Sequence, residues 1–192
     1  MNGKRPLTSE EFNNARSYLL RRDRLRDAVM FSLLYYTGYR IKEVLSMQFK
    51  DLFDSNWNVR ARVHVNPRFM KKKSPRPAIH IHDTLRGDLE RYRDSFSPEE
   101  LDRKEYIVSS QKSGAISYTQ AYRICKDIFD ACNIVDNVAV HSFRKSFAEN
   151  IYNKSGYNIR LTQELMGHSE PEITIRYLSV DLKEAEGVIA SI

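Results

Sequence analysis

The chain has 192 residues, with 31 Lys+Arg against 25 Asp+Glu, 41% apolar residues and only 7 Gly and 6 Pro. That is enough to bury one core, and it excludes collagen-like, low-complexity and extensively disordered classes. No apolar run approaches the ~20 residues of a membrane span, and residues 1–6 lack the apolar stretch of a signal peptide, so a single cytoplasmic domain over residues 1–192 is expected.

Thr8-Ser9-Glu10-Glu11 is a capping box, and Phe12, Ala15 and Leu19 follow at helical spacing. Leu25, Val29, Ser32, Leu33 and Tyr36 predict a second helix, interrupted at Thr37-Gly38, and a short helix carries Arg40, Ile41, Val44 and Leu45. Trp57, Val59, Ala61, Val63 and Val65 alternate with polar residues and predict a strand. Ile79 and Ile81 predict its antiparallel partner across a Lys- and Pro-rich turn. Asp83 or Thr84 is expected to cap a helix with Leu85, Leu89 and Tyr92 inward, and Ser97-Pro98 opens another short turn of helix. A second capping signal at Ser117 and Gln120 precedes Ile124, Cys125, Ile128, Phe129 and Cys132. The two cysteines, seven apart, read as core rather than redox or metal chemistry. The remainder is helical: one helix opens near His141 and breaks at Gly156, a second ends at Gly167, a third runs from Pro171 to Leu178, and a last amphipathic one carries Leu182, Ala185, Val188 and Ile189. The fold class is therefore α+β, mostly helical with a small antiparallel sheet near residues 50–82.

Charge is unevenly placed. Ser55 to His82 contains no acid and seven cations, Arg60, Arg62, Arg68, Lys71, Lys72, Lys73 and Arg76, while the rest of the chain is nearly neutral. Such a patch on a hairpin suits a polyanion such as nucleic acid. His80 and His82, with His64 across the hairpin, have no Cys, Asp or Glu within that stretch to complete a metal site, so none is expected.

Four constellations could carry chemistry. In Thr37-Gly38-Tyr39-Arg40-Ile41-Lys42-Glu43, Arg40 opens a helix and Glu43 lies one turn on; next comes the Lys71-Lys72-Lys73 turn. His141-Ser142-Phe143-Arg144 puts an imidazole and a guanidinium on one helix face, where both reach one phosphoryl group. Leu165-Met166-Gly167-His168 is followed nine residues later by Tyr177. In this order the set resembles the catalytic domain of the tyrosine recombinase, or phage integrase, family over nearly the whole chain.

That resemblance implies a site-specific recombinase of phage or mobile-element type, which integrates or recombines DNA through a covalent 3′-phosphotyrosyl intermediate, without metal, cofactor or ATP. It assigns Tyr177 as nucleophile, Arg40 and Arg144 as a phosphate clamp, His141 and His168 as hydrogen-bonding and proton-moving groups, and Glu43 as a support. A hairpin lysine would protonate the leaving oxygen, with Lys73 favoured by the count back from the second strand and Lys72 next. Arg60, Arg62, Arg68, Lys71, Lys72 and Arg76 would bind double-stranded DNA. The resemblance further implies a monomer that assembles into a tetramer on DNA. Typical members of that family carry a helical core-binding domain ahead of this one; none is expected in this chain, which reads either as an excised catalytic domain or as a naturally short member. A topoisomerase of type IB and a non-cutting DNA-binding regulator are the alternative readings.

Overall fold

The computed structural model describes residues 4–64, 76–110, 114–175 and 177–178, and these form a mostly helical domain with one small sheet. The first helices, α1 (Ser9–Arg21), α2 (Leu25–Thr37), α3 (Ile41–Leu45) and α4 (Phe49–Leu52), precede strands β1 (Arg62–Val63) and β2 (Ile79–His80). Then come α5 (Asp83–Arg93), α6 (Pro98–Leu101), α7 (Tyr118–Ala131), α8 (Val140–Lys154), α9 (Ile159–Met166) and α10 (Pro171–Ile175). Among the described residues, no helix is long and apolar enough to cross a membrane.

Helix α2 is the axis of the core. Its residues are buried almost all round, from Leu25 and Ala28 to Leu34 and Tyr35, so it is enclosed by neighbours rather than amphipathic. Helices α1, α5 and α8 pack around it. Two polar ties fix that packing. Arg16 on α1 donates to both carboxylate oxygens of buried Asp88 on α5 (2.7 and 2.5 Å), and Ser32 Oγ on α2 donates to the same carboxylate (2.5 Å). Buried Phe31 meets Phe143 of α8 edge-on at 4.9 Å, an aromatic geometry worth roughly 0.5–1.5 kcal/mol beyond its area.

Local signals place most helix ends. Thr8 Oγ1 accepts the Glu11 N–H (3.1 Å) while the Glu11 carboxylate accepts the Thr8 N–H (2.9 Å), and Ser117 Oγ accepts from Gln120 (3.1 Å). Gly38 and Gly167 end α2 and α9 in the left-handed conformation, at φ 59° and 63°. At Gly38 a Cβ would lie 2.3 Å from Cδ1 of Phe147. Gly38→Ala therefore combines left-handed strain with overpacking and is expected to cost about 2–4 kcal/mol in denaturant unfolding. An unchanged midpoint would show that Phe147 moves aside freely.

Three expectations are corrected. The strand predicted from Trp57 starts late, because its first residues belong to a turn: Asp54 Oδ1 accepts the N–H groups of Asn56 and Asn58 (2.9 Å each), and Trp57 takes φ 60°. Among the described residues, Arg62 and Val63 pair antiparallel with His80 and Ile79, Val59 bridges Phe53, and the Ala61 side chain is exposed rather than inward. Helix α5 is capped by neither Asp83 nor Thr84, since His82 Nδ1 accepts the Thr84 N–H (3.1 Å) while its ring stacks on Tyr36 at 4.2 Å. Helix α10, described over Pro171–Ile175, does not run to Leu178: Tyr177 and Leu178 lie in a turn, each donating to the carbonyl three residues back. The cysteines do belong to the core region, with Cys125 buried and Cys132 partly buried at the end of α7. The lysine turn, Val65 and the last amphipathic segment lie outside the described residues.

Candidate active site

Gly38 turns the chain out of α2 so that Arg40 sits just before α3. The Arg40 N–H donates to Glu43 Oε2 (2.7 Å), and its Nη1 donates to Oε1 (3.0 Å). Glu43 is buried, whereas Arg40 keeps 36% of its side chain exposed, so the guanidinium is held from below and open above.

Arg76 reaches the same carboxylate from the base of the hairpin. Its Nη1 donates to Glu43 Oε2 (3.1 Å) and its Nη2 to the Leu165 carbonyl (3.3 Å). The guanidinium lies 4.7 Å over the Tyr39 ring, and the aliphatic stem covers Gly167, where a Cβ would come within 2.3 Å of Arg76 Cγ. Desolvation lowers the Arg76 pKa, with Glu43 and Tyr39 opposing it. Arg76 was expected among the exposed DNA-binding cations, but at 8% exposure it is bound inside the protein. Its Nε–H has no hydrogen-bond partner among the described residues. Arg76→Ala leaves a buried carboxylate with one cation fewer and is expected to cost about 3 kcal/mol of stability, read by thermal or denaturant unfolding. Unchanged stability with weakened DNA binding would restore the surface reading.

Helices α8 and α9 supply the opposite wall. In α8, Arg144 is 2% exposed and follows His141 by one turn. Its Nη1 donates to the Gly38 carbonyl, while Nη2 donates to the Met166 carbonyl (2.7 Å) and contacts His168 Nε2 (3.1 Å); among the described residues, Nε–H has no hydrogen-bond partner. Burial, then the nearby charges of Arg76 and Arg40, brings the Arg144 pKa down to about 9, with Tyr177 opposing, so it remains a cation at neutral pH. His168, just past the end of α9, is buried and its Nδ1 lies 2.9 Å from Thr174 Oγ1. Desolvation first, then Arg144, Arg40, Arg76 and His141, pushes the His168 pKa to about 3.

Tyr177 closes the cluster. Its ring centroid is 4.9 Å from His168 and 5.1 Å from His141, and the Arg144 guanidinium carbon lies 5.7 Å from it. His141 reaches solvent at the rim. Desolvation by the surrounding protein, then Arg144, Lys145 and Arg40, lowers its pKa, so the imidazole is neutral at pH 7.

The structure thus brings Arg40, Glu43, His141, Arg144, His168 and Tyr177 to one place. Arg60 and Arg62 are exposed near and on β1, with Arg60 Nε donating to the Lys50 carbonyl (3.2 Å). Lys73, Lys72, Lys71 and Arg68 lie outside the described residues. Sequence reasoning missed two contributors to the site's geometry. Arg76 was hidden in a run of cations, although its place beside the second strand after Pro75 sets it apart from the lysines. Thr174 carried no local signal.

Residues 6–184 match the family described as the phage integrase family. Tyrosine recombinase XerC of Staphylococcus epidermidis (strain ATCC 35984) is 27% identical over 164 residues, covering 85% of this chain and 52% of that protein. The probable integrase/recombinase YoeC of Bacillus subtilis (strain 168) is 28% identical over 173 residues, covering 90% of this chain and 87% of that one. The chain spans about half the length of XerC and nearly all of YoeC. In shape it is similar to XerA recombinase, with a TM-score of 0.77 at 18% identity over 100% of this chain and 66% of that one. It is also similar to XerH site-specific recombinase in a post-cleavage complex with its difH substrate, with a TM-score of 0.75 at 19% identity over 99% and 54% of the two chains. These likenesses place the fold with the recombinases.

Proposed function

Since the chain belongs to the phage integrase family, we propose that it is a site-specific DNA recombinase that cuts and rejoins strands through a phosphotyrosine. The observation that carries this reading is the position of Tyr177, against both histidines and beside Arg144 within one chain. Attack by its Oη on a backbone phosphorus forms the Tyr–O–P bond, breaks the bond to the 5′ oxygen and retains a phosphodiester, so rejoining by the reverse step needs no ATP. The phenol has an intrinsic pKa of ~10 and must lose a proton as it attacks. His141, neutral and open to solvent at the rim, is suited to accept it.

Charge that builds on the non-bridging oxygens requires fixed cations. Arg40 presents an open guanidinium braced by Glu43, and Arg144 is locked on two carbonyls and His168. Preorganised donors of this kind need no rearrangement as the charge develops. The leaving 5′ oxygen needs a proton, for which the hairpin lysines are the candidates, Lys73 first and Lys72 second.

Double-stranded DNA is the proposed partner, bound partly through exposed Arg60 and Arg62 with Arg68, Lys71 and Lys72, and assembly into a tetramer on DNA from a free monomer is part of the proposal. So is the reading of this chain as one catalytic domain. A nicked suicide substrate tests the class: the cut strand diffuses away, and a covalent protein–DNA adduct is expected to accumulate, also in EDTA. Supercoil relaxation without strand exchange between two sites would favour a topoisomerase, and binding without an adduct would favour a regulator.

A further inference from the structure

We propose that Thr174 is a positioning residue for this site: Arg144, which can only donate, selects the His168 tautomer with a bare Nε2, and the Thr174 hydroxyl holds that ring in place by accepting from its Nδ1–H. The proposal rests on the recombinase reading for its consequence in catalysis, but its geometry stands independently of it. A guanidinium has donors and no acceptor, so the 3.1 Å contact between Arg144 Nη2 and His168 Nε2 requires a bare lone pair on Nε2. The ring proton is then on Nδ1, which donates to Thr174 Oγ1 at 2.9 Å. Both partners are enclosed, with Thr174 fully buried and His168 8% exposed, so water offers no ready substitute.

Thr174 also holds the other side of the site. Its backbone carbonyl accepts the Tyr177 N–H (2.9 Å), so one residue binds His168 through its side chain and the Tyr177 turn through its main chain. The arrangement makes His168 a hydrogen-bond acceptor toward Arg144 rather than a carrier of protons in the free enzyme. If the ring proton moved to Nε2, two donors would face each other and Arg144 would lose one of its fixed contacts. Its hold on Gly38 and Met166 would remain, but the orientation of its fork would no longer be unique.

Thr174→Val keeps the shape and the carbonyl and removes only the hydroxyl, leaving a buried Nδ1–H without a partner. Such a loss is expected to slow adduct formation at saturating DNA by roughly ten- to a hundredfold, with DNA affinity unchanged. Thr174→Ser, which keeps the oxygen, is expected to recover most of the rate. A Val variant that cleaves like wild type, or Ser and Val variants equally impaired, would overturn the proposal. Nitrogen NMR on wild-type, DNA-free protein with labelled histidine needs no variant to fold, apart from His168→Gln to assign the signal. A protonated Nδ1 and bare Nε2 at neutral pH are expected, and a proton on Nε2 overturns the tautomer outright. If wild-type protein formed no adduct, the recombinase reading would fall and the catalytic role with it, while the NMR result would still decide the hydrogen bond.

Discussion

Tyr177→Phe is expected to abolish the covalent protein–DNA adduct and leave DNA binding nearly intact. The substitution removes one oxygen. The partly buried ring keeps its packing against His141 and His168, so neither the fold nor the DNA-facing surface has reason to change. What disappears is the atom that forms the bond to phosphorus, and no rotamer of phenylalanine replaces it. Band-shift titration and denaturing gels on the same nicked substrate separate the two effects. An adduct of ordinary yield from the Phe variant would place the nucleophile elsewhere.

Arg144→Lys is the second large effect, with cleavage expected to fall by roughly 10²–10³-fold, as for loss of one preorganised charge donor. Lysine loses the fork, and the desolvation and neighbouring cations that lower Arg144 to about 9 would also push an ammonium of ordinary pKa ~10.4 toward neutrality, so both geometry and part of the charge are lost. An ammonium on a flexible stem does not reproduce the planar fork that holds the Gly38 and Met166 carbonyls and His168 together. Arg144→Ala goes further by leaving those buried acceptors unpaired, and its loss of activity will include loss of stability. Comparing cleavage with thermal unfolding for the Lys variant separates the effect on the reaction from the effect on stability. A Lys variant with near wild-type cleavage would show that a point charge suffices.

Most helices were legible because their signals are local. A capping box, a glycine at a left-handed end and an apolar stripe each operate within one or two turns of chain. The strand near Trp57 failed for an instructive reason: alternation of apolar and polar residues describes a strand, yet the Asp54 side chain offers the same segment a turn with its N–H groups already satisfied. Arg76 failed because burial depends on a distant partner. Its neighbours in sequence are cations and prolines, and Glu43, which makes its burial tolerable, lies 33 positions away. Tyr177 and the histidines were found by their order and spacing in a family pattern, not by any physical signal of their own. The Thr174 contact to His168 spans six residues across a helix boundary, and only the fold shows it.

The central claim is that Tyr177 becomes covalently joined to DNA. The most direct measurement traps the adduct on a nicked suicide substrate, digests protein and DNA, and locates the modified residue by mass spectrometry. A nucleotide attached through its 3′ phosphate to Tyr177 is the predicted result, with the same product when EDTA is present. A nucleotide on any other side chain, or attachment through a 5′ phosphate, would contradict the account.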